Sequence, residues 1–506
     1  LVYFGLMVLC TVVLLRTAWV ADDALITIRS ALNFIHGYGP NFNIDERVQA
    51  YTHPAWFLLV SGLLLITHNP FLVVWLLSFV CAMLICHLVQ TAFARGTWEG
   101  SVGVMILLTS KAYVDFMASG LENPLAHVLV AVFVVAALRM ITAPTPRLMA
   151  SLGAIGAAIY LTRPDLFLLV GPIGLAIIFR NRADARRLSV ALAVGAIPAI
   201  AWTGFSLWYY GFPFPNTAYA KLGTGLSMSE RIPQGVAYLA DSFSRDRLTM
   251  PAIVAGIVFG LRSAGFDRAL ATGMIGYLIY VVWIGGDFMS GRFLTVPLLA
   301  AVVVIVRMQF SRRGLAAAAA AALLLAIPSA RLTVLSGADY SDRALTATGI
   351  ADERGFYFQN SGLMAAGWTA LVDGSVENPR AWNEGQRRVL IVCGRLGTTG
   401  MAAGLSSHII DPCGLADPLL ARLPPRRDLD LRIGHFARIL PAGYHVSVSE
   451  RANRIEDPDL RDFYDVLRRI TRGPLNSRSR FADIVRINLG LSEPANRVRA
   501  KFWQNK

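Results

Sequence analysis

From Leu1 to about Ala330 the chain is a succession of apolar stretches parted by short polar breaks, a pattern that leaves few folds open. About 20 consecutive apolar residues are what a helix needs to cross a bilayer, and counting such stretches predicts about eleven spans. They fall at 1–20, 71–93, 101–117, 121–141, 149–162, 166–179, 188–209, 250–261, 269–285, 293–306 and 314–328. With 55% hydrophobic and 16% charged residues and a mean hydropathy of +0.51, a soluble enzyme of this length is excluded. The first run is read as a span and not as a cleaved signal, because cleavage after Ala21 would put Trp19 where a small residue is required. The chain opens on Leu1 inside that run, so a natural start is expected to precede it.

Charge fixes the expected orientation. Arg95, Arg139, Arg147, Arg180, Arg182, Arg186, Arg187, Arg262, Arg268, Arg307, Arg312 and Arg313 fall in loops on alternate sides of successive spans, which places those loops in the cytoplasm. The opposite loops carry Asp22, Asp23, Asp45, Glu46, Asp115, Glu122, Asp165, Asp241, Asp246 and Asp287. Alternation holds only if Pro54–Thr67, 14 residues long, lies along the membrane surface and does not cross it. The N-terminus is then inside and the tail outside. A net charge of +14 could speak for nucleic acid, but the excess is Arg scattered over loops and tail, with no basic run interleaved with aromatics; no nucleic-acid partner is expected.

Beyond 330 the composition turns to Arg, Asp, Pro and Gly, which predicts a separate domain over 331–506 after a membrane domain over 1–330. Val389 to Val392 reads as a buried strand, followed by Gly394, Gly397, Gly400 and Gly404 and a second short strand at His408 to Ile410, so the tail is expected to be α/β or mixed. That glycine spacing is not GxGxxG, and no cysteine pair has CxxC spacing. In an oxidising compartment Cys393 and Cys413 are expected to form a disulfide, while Cys10, Cys81 and Cys86 lie in apolar runs.

The stretch with most chemistry is Ala21 to His53. Asp22 and Asp23 stand where the first span leaves the bilayer, followed by an amphipathic segment, a glycine turn and Tyr51-Thr52-His53-Pro54. Charge at the edge of lipid is costly, which makes the pair a functional-site candidate, although an acidic residue there also caps the helix that follows. Paired carboxylates suit glycosyl chemistry: one accepts a proton from an attacking hydroxyl while the other orients a sugar or stabilises an oxocarbenium ion. Asp22, Asp23 and His53 are the catalytic candidates. An acidic pair beside a phosphate is also a place for a divalent cation, Mg²⁺ or Ca²⁺, and metal use is left open.

These residues resemble the GT-C superfamily of polyprenyl-phosphate-sugar glycosyltransferases: a first span, Asp-Asp at its outer end, a juxtamembrane helix and many further spans. More narrowly, Asp22-Asp23-Ala24, Tyr51-Thr52-His53-Pro54, Ser119-Gly120-Leu121-Glu122 and Thr162-Arg163-Pro164-Asp165 are similar to the mycobacterial terminal β-(1→2) arabinofuranosyltransferase (AftB) family. So are Tyr210-Gly211-Phe212-Pro213 with Pro215-Asn216-Thr217, Gly285-Gly286-Asp287 with Arg292-Phe293, and Asp411 to Pro418. Ala24, where many relatives carry an aromatic, departs from the pattern. The resemblance implies a plasma-membrane enzyme with its site and tail on the periplasmic side. It implies transfer of arabinofuranose from decaprenyl-phosphoryl-arabinose to the ends of arabinan in arabinogalactan and lipoarabinomannan. It further implies retention at the anomeric carbon, through a carboxylate nucleophile or a same-face substitution.

On this reading Glu122, Arg163, Asp165, Asn216, Lys221, Asp287 and Arg292 bind the donor, with Lys221 and Arg292 suited to its phosphate. Trp368, Trp382, His408 and Asp411 would meet the acceptor. Mannose or another polyprenyl-phosphate sugar is the alternative donor. A polyprenyl-sugar transporter or flippase is the rival class, which would need inverted repeats and charge near the bilayer midplane.

Overall fold

The computed structural model describes residues 1–222, 224–327, 345–365, 388–426 and 433–503. The chain forms two compact units, each assembled from separated stretches. The first comprises Leu1–Ala21, Phe71–Ala199 and Ser227–Trp368; the second comprises Asp22–Pro70, Ile200–Leu226 and Thr369–Lys506. Grouped by compactness, the tail therefore folds with two stretches from the apolar part of the chain.

The first unit is helical. Pro70–Phe93 and Asn123–Thr142 are long and apolar enough to cross a membrane. Two of the apolar runs are each divided between two shorter helices. The 101–117 run divides into Thr97–Thr109 and Lys111–Met117 at Ser110, whose hydroxyl accepts from the Tyr113 N–H and caps the second piece. The 188–209 run divides into Ala185–Gly195 and Ile197–Tyr209, with Pro198 in the first turn of the second helix, where its missing N–H costs nothing. Small residues let the helices approach. A Cβ on Gly273 of the Phe266–Trp283 helix would run into the Leu169 carbonyl of the Phe167–Arg180 helix.

The second unit is mixed. Val389–Ile391 and His408–Ile410 pair in parallel, Val389 opposite His408 and Ile391 opposite Ile410. The crossover that a parallel pair requires is the short Leu396–Ala402 helix. Helices Pro458–Arg472, Arg478–Asn488 and Glu493–Trp503 complete the tail. One apolar core gathers Ile410, Leu419, Tyr444, Phe463, Leu467 and Ile470 around Phe212; a second gathers Ile26, Phe42, Ala50, Leu396, Ile409 and Leu415. Both draw on the 22–70 or 200–226 stretches, which is why those stretches belong to this unit. Pro54–Thr67 forms the 14-residue helix read from the sequence.

Cys393 and Cys413 form a disulfide, as expected, while Cys10, Cys81 and Cys86 are free. Closing a loop of this size stabilises by about 3 kcal/mol in the chain-entropy account. Thiol titration of the denatured protein should give three free groups before reduction and five after, and reduction should lower the melting temperature. Five thiols without reductant would refute the bond.

Candidate active site

The Asp22–Ile35 helix begins with both candidate carboxylates in its first turn, where the helix dipole favours negative charge. Their surroundings differ. Asp22 is buried, and its carboxylate accepts from the Gly397 N–H at 3.0 Å, the Thr398 N–H at 2.7 Å and the Thr398 hydroxyl at 2.6 Å. It thus caps the Leu396–Ala402 helix, 375 residues away in sequence. Burial pushes its carboxyl up to about 6 against the pull of the Thr398 and Gly397 donors, with the Asp23 charge adding a little to the rise. Asp23 is only partly buried, and its carboxylate has no hydrogen bond or ion pair among the described residues.

Two turns further along the same face, fully buried Arg29 takes the other end of the Leu396–Ala402 helix. Its guanidinium donates to the carbonyls of Gly400, Gly404 (2.8 Å), Leu405 (3.3 Å) and Ser407 (2.8 Å), and to Phe42 at 3.0 Å. An acid at the N-terminus and a base at the C-terminus are the charges a helix dipole favours. The glycines read as turn residues serve this contact: a Cβ on Gly397 would strike the Asp22 carbonyl.

The other candidates of this unit have structural occupations. His53 begins the Pro54–Thr67 helix with its ring nitrogens beside the hydroxyls of Thr27 (2.7 Å) and Thr52 (3.2 Å). Asn216 is buried; its amide donates to the carbonyls of Gly414 (2.8 Å) and Asp417 (2.9 Å), and its oxygen accepts from Arg422 at 3.0 Å. His408 is buried with Nδ1 at 2.8 Å from Asp45, whose other oxygen is 3.6 Å from Arg472. Asp411, expected at the acceptor, is fully buried and spends its oxygens on the backbone N–H groups of Cys413, Leu415 and Ala416. Lys221 lies in the last turn of the Asn216–Leu222 helix. Trp368 and Trp382 lie outside the described residues. Among the described residues, the group of atoms spaced to hold a cation is Cys393, Asp411 and Cys413, and the disulfide already occupies two of them.

Burial also raises Asp411 to about 6 and Asp417 to about 7, with the Glu46 charge adding to the rise at Asp417. A carboxyl raised on folding adds stability fully below its unfolded value, about 4, and loses that contribution as pH rises through the folded one. Asp411, Asp417 and Asp22 have the same sign, so the protein should melt at a higher temperature at pH 5 than at pH 8. Asp417 accepts from the Leu419 and Leu420 N–H groups and the Tyr444 hydroxyl, contacts an amide oxygen can share. Asp417→Asn should therefore flatten the slope; a melting temperature that climbs from pH 5 to pH 8 contradicts the assignment.

The remaining candidates meet in the first unit. Glu122, buried, lies 3.1 Å from Arg292 and 3.9 Å from Arg163. Arg163 pairs with Asp165 at 2.6 Å, and Arg292 with Asp287 at 3.6 Å. Tyr277 joins them, donating to Asp165 at 2.7 Å and accepting from Arg163 at 2.9 Å. Two guanidiniums face three carboxylates here, so the positive charge expected for a lipid phosphate is already balanced by the protein. A second buried network was not anticipated: Lys111 is bonded to Asp115 and lies 2.9 Å from Asp352, and fully buried Arg354 lies 3.7 Å from Asp115. Asp115 and Asp352 lie 237 residues apart, and nothing in the sequence pairs them.

Residues 365–469 match the AftB family C-terminal domain. Over 520 aligned residues the chain is 28% identical to a terminal β-(1→2)-arabinofuranosyltransferase of Mycobacterium tuberculosis, covering 84% of this chain and 81% of that protein. The chain is similar to the AftB arabinofuranosyltransferases. A protein of the same name from Corynebacterium glutamicum matches at 28% identity over 330 residues, 57% of this chain and 47% of the other. Among solved structures, ArnT from Cupriavidus metallidurans bound to undecaprenyl phosphate aligns over 83% of this chain and 76% of that one, with 15% identity and a TM-score of 0.48. The helix held by Asp22 and Arg29, both strands and the disulfide lie within the stretch that matches the AftB domain.

Proposed function

We propose that the protein is a membrane glycosyltransferase that moves arabinofuranose from decaprenyl-phosphoryl-arabinose to the ends of cell-wall arabinan, forming terminal β-(1→2) links. The observation that carries this reading is similarity over 84% of the chain to a protein named for that transfer. The site chemistry agrees with it. Asp23 keeps a carboxylate with no partner among the described residues, beside an Asp22 already committed to capping. One available carboxylate acts either as the nucleophile of a double displacement or as the group that accepts the acceptor hydroxyl's proton and stabilises an oxocarbenium ion. Asp22 positions it by fixing the first turn of the helix they share. Lys221, in the unit that holds Asp23, is the group suited to the donor phosphate, because the Arg163 and Arg292 charges are already matched by Glu122, Asp165 and Asp287. The site and the tail are on the periplasmic side in this reading.

The deciding experiment incubates purified protein with labelled decaprenyl-phosphoryl-arabinose and a short arabinan acceptor, with the mannosyl donor in a parallel arm. A product extended by one β-(1→2) arabinose is expected. Turnover of the mannosyl donor alone would replace the reading with its nearest alternative. Appearance of labelled donor in the opposite leaflet without transfer would favour a flippase.

A further inference from the structure

The helices Thr97–Thr109 and Arg312–Ala326 enclose an apolar groove of about 580 Å³, within the about 300–1,000 Å³ of small-molecule sites. Its depth has a sequence cause. Ala316, Ala319 and Ala322 open the middle of one wall between Leu315 and Leu323, facing Val102 and Met105 on the other. The two helices start at the same end: the Arg95 N–H, just before the first, donates to the Val306 carbonyl, five residues before the second helix's Ser311 cap. Trp98 and Arg312 therefore stand together at one mouth of the groove, and Thr109 and Leu323 lie towards the other.

The mouth has the chemistry of a headgroup site. Trp98 is 66% exposed, and an exposed indole beside an apolar wall sits at the level of lipid headgroups. Neighbouring Arg307 is taken by Asp267 at 2.8 Å, whereas the guanidinium of Arg312 has no partner among the described residues. An apolar trough ending in an uncompensated cation complements an amphiphile with an anionic head. We propose that this groove binds an anionic phospholipid of the bilayer, its phosphate at Arg312 and one acyl chain along the alanine wall. The site lies wholly within the first unit and does not depend on glycosyl transfer.

The test is native mass spectrometry of the full chain released from nanodiscs made with phosphatidylglycerol and phosphatidylcholine of identical chains. Phosphatidylglycerol should be retained about fivefold over phosphatidylcholine, the ratio that corresponds to about 1 kcal/mol per basic residue at a membrane surface. Arg312→Gln should bring the two lipids level. Ala319→Trp, which fills the trough, should abolish retention of both, with thermal unfolding showing that the variant is folded. Equal retention of both lipids by the parent protein, or preference surviving Arg312→Gln, overturns the proposal. A two-copy species lost in Ala319→Trp would give the groove to a second chain, and decaprenyl phosphate retained in place of phosphatidylglycerol would give it to the donor lipid; either result also overturns it.

Discussion

Asp23→Asn is expected to cut arabinose transfer by at least ~10²-fold, the scale of a lost general base or electrostatic stabiliser, with no fall in melting temperature. The substitution keeps the shape of a carboxylate that has no protein partner among the described residues, so folding loses nothing by it. Asp22→Asn should behave differently. Its amide nitrogen would face either the Gly397 N–H or the Thr398 N–H together with the Thr398 hydroxyl, and a charge-assisted cap becomes a mixed contact. Melting should fall by an amount that corresponds to about 1–2 kcal/mol, the usual worth of a cap, and protease should reach the 389–410 stretch earlier. Near-normal transfer in Asp23→Asn would remove it from the chemistry. Equal melting losses in the two variants would show that the carboxylates are alike and the distinction drawn between them is wrong.

Arg354→Met should be the most destabilising single change outside the site, costing about 3–5 kcal/mol, because it leaves Asp115 and Asp352 buried with only Lys111 between them. The side chain is fully buried, also donates to the Thr17 carbonyl at 3.2 Å, and lies over the Phe358 ring. Adding Asp115→Asn removes the stranded charge and should recover part of the loss, which a purely steric defect would not. Unfolding in denaturant of the single and double variants checks both statements. A single-variant cost within about 0.5 kcal/mol, the range of surface substitutions, would mean that the network carries no load.

Local signals were legible in the sequence. The Pro54–Thr67 helix follows from its Pro start and length, the strands from two short apolar runs, and the disulfide from two cysteines in a polar tail. Eleven apolar runs were legible as runs, but Ser110 and Pro198 cut two of them into shorter helices, because a cap or a missing N–H ends a helix whatever the hydropathy around it. Long-range partnerships left no trace. Asp22 and Asp23 look equivalent until Thr398 is seen bonded to one of them. Arg29 reads as an ordinary amphipathic-helix residue, and Tyr277 sits in an apolar run with no polar neighbour to mark it. Glu122, Arg163, Asp165, Asp287 and Arg292 read from the sequence as donor-binding residues together with Asn216 and Lys221, and the mutual neutralisation of those five appears only when distances are known.

The grip of Asp22 and Arg29 on the Leu396–Ala402 helix sets a timetable for biosynthesis. At about 5–20 residues per second, the 375 residues between Asp22 and Gly397 take roughly 20–75 s to synthesise. Throughout that interval a carboxylate and a guanidinium destined for burial are without their partners, and the Asp22–Ile35 helix lacks the contact that fixes its face. The acidic pair thus acquires its geometry only after the tail has been delivered, so a nascent or truncated chain holds the right residues in sequence without holding them in place.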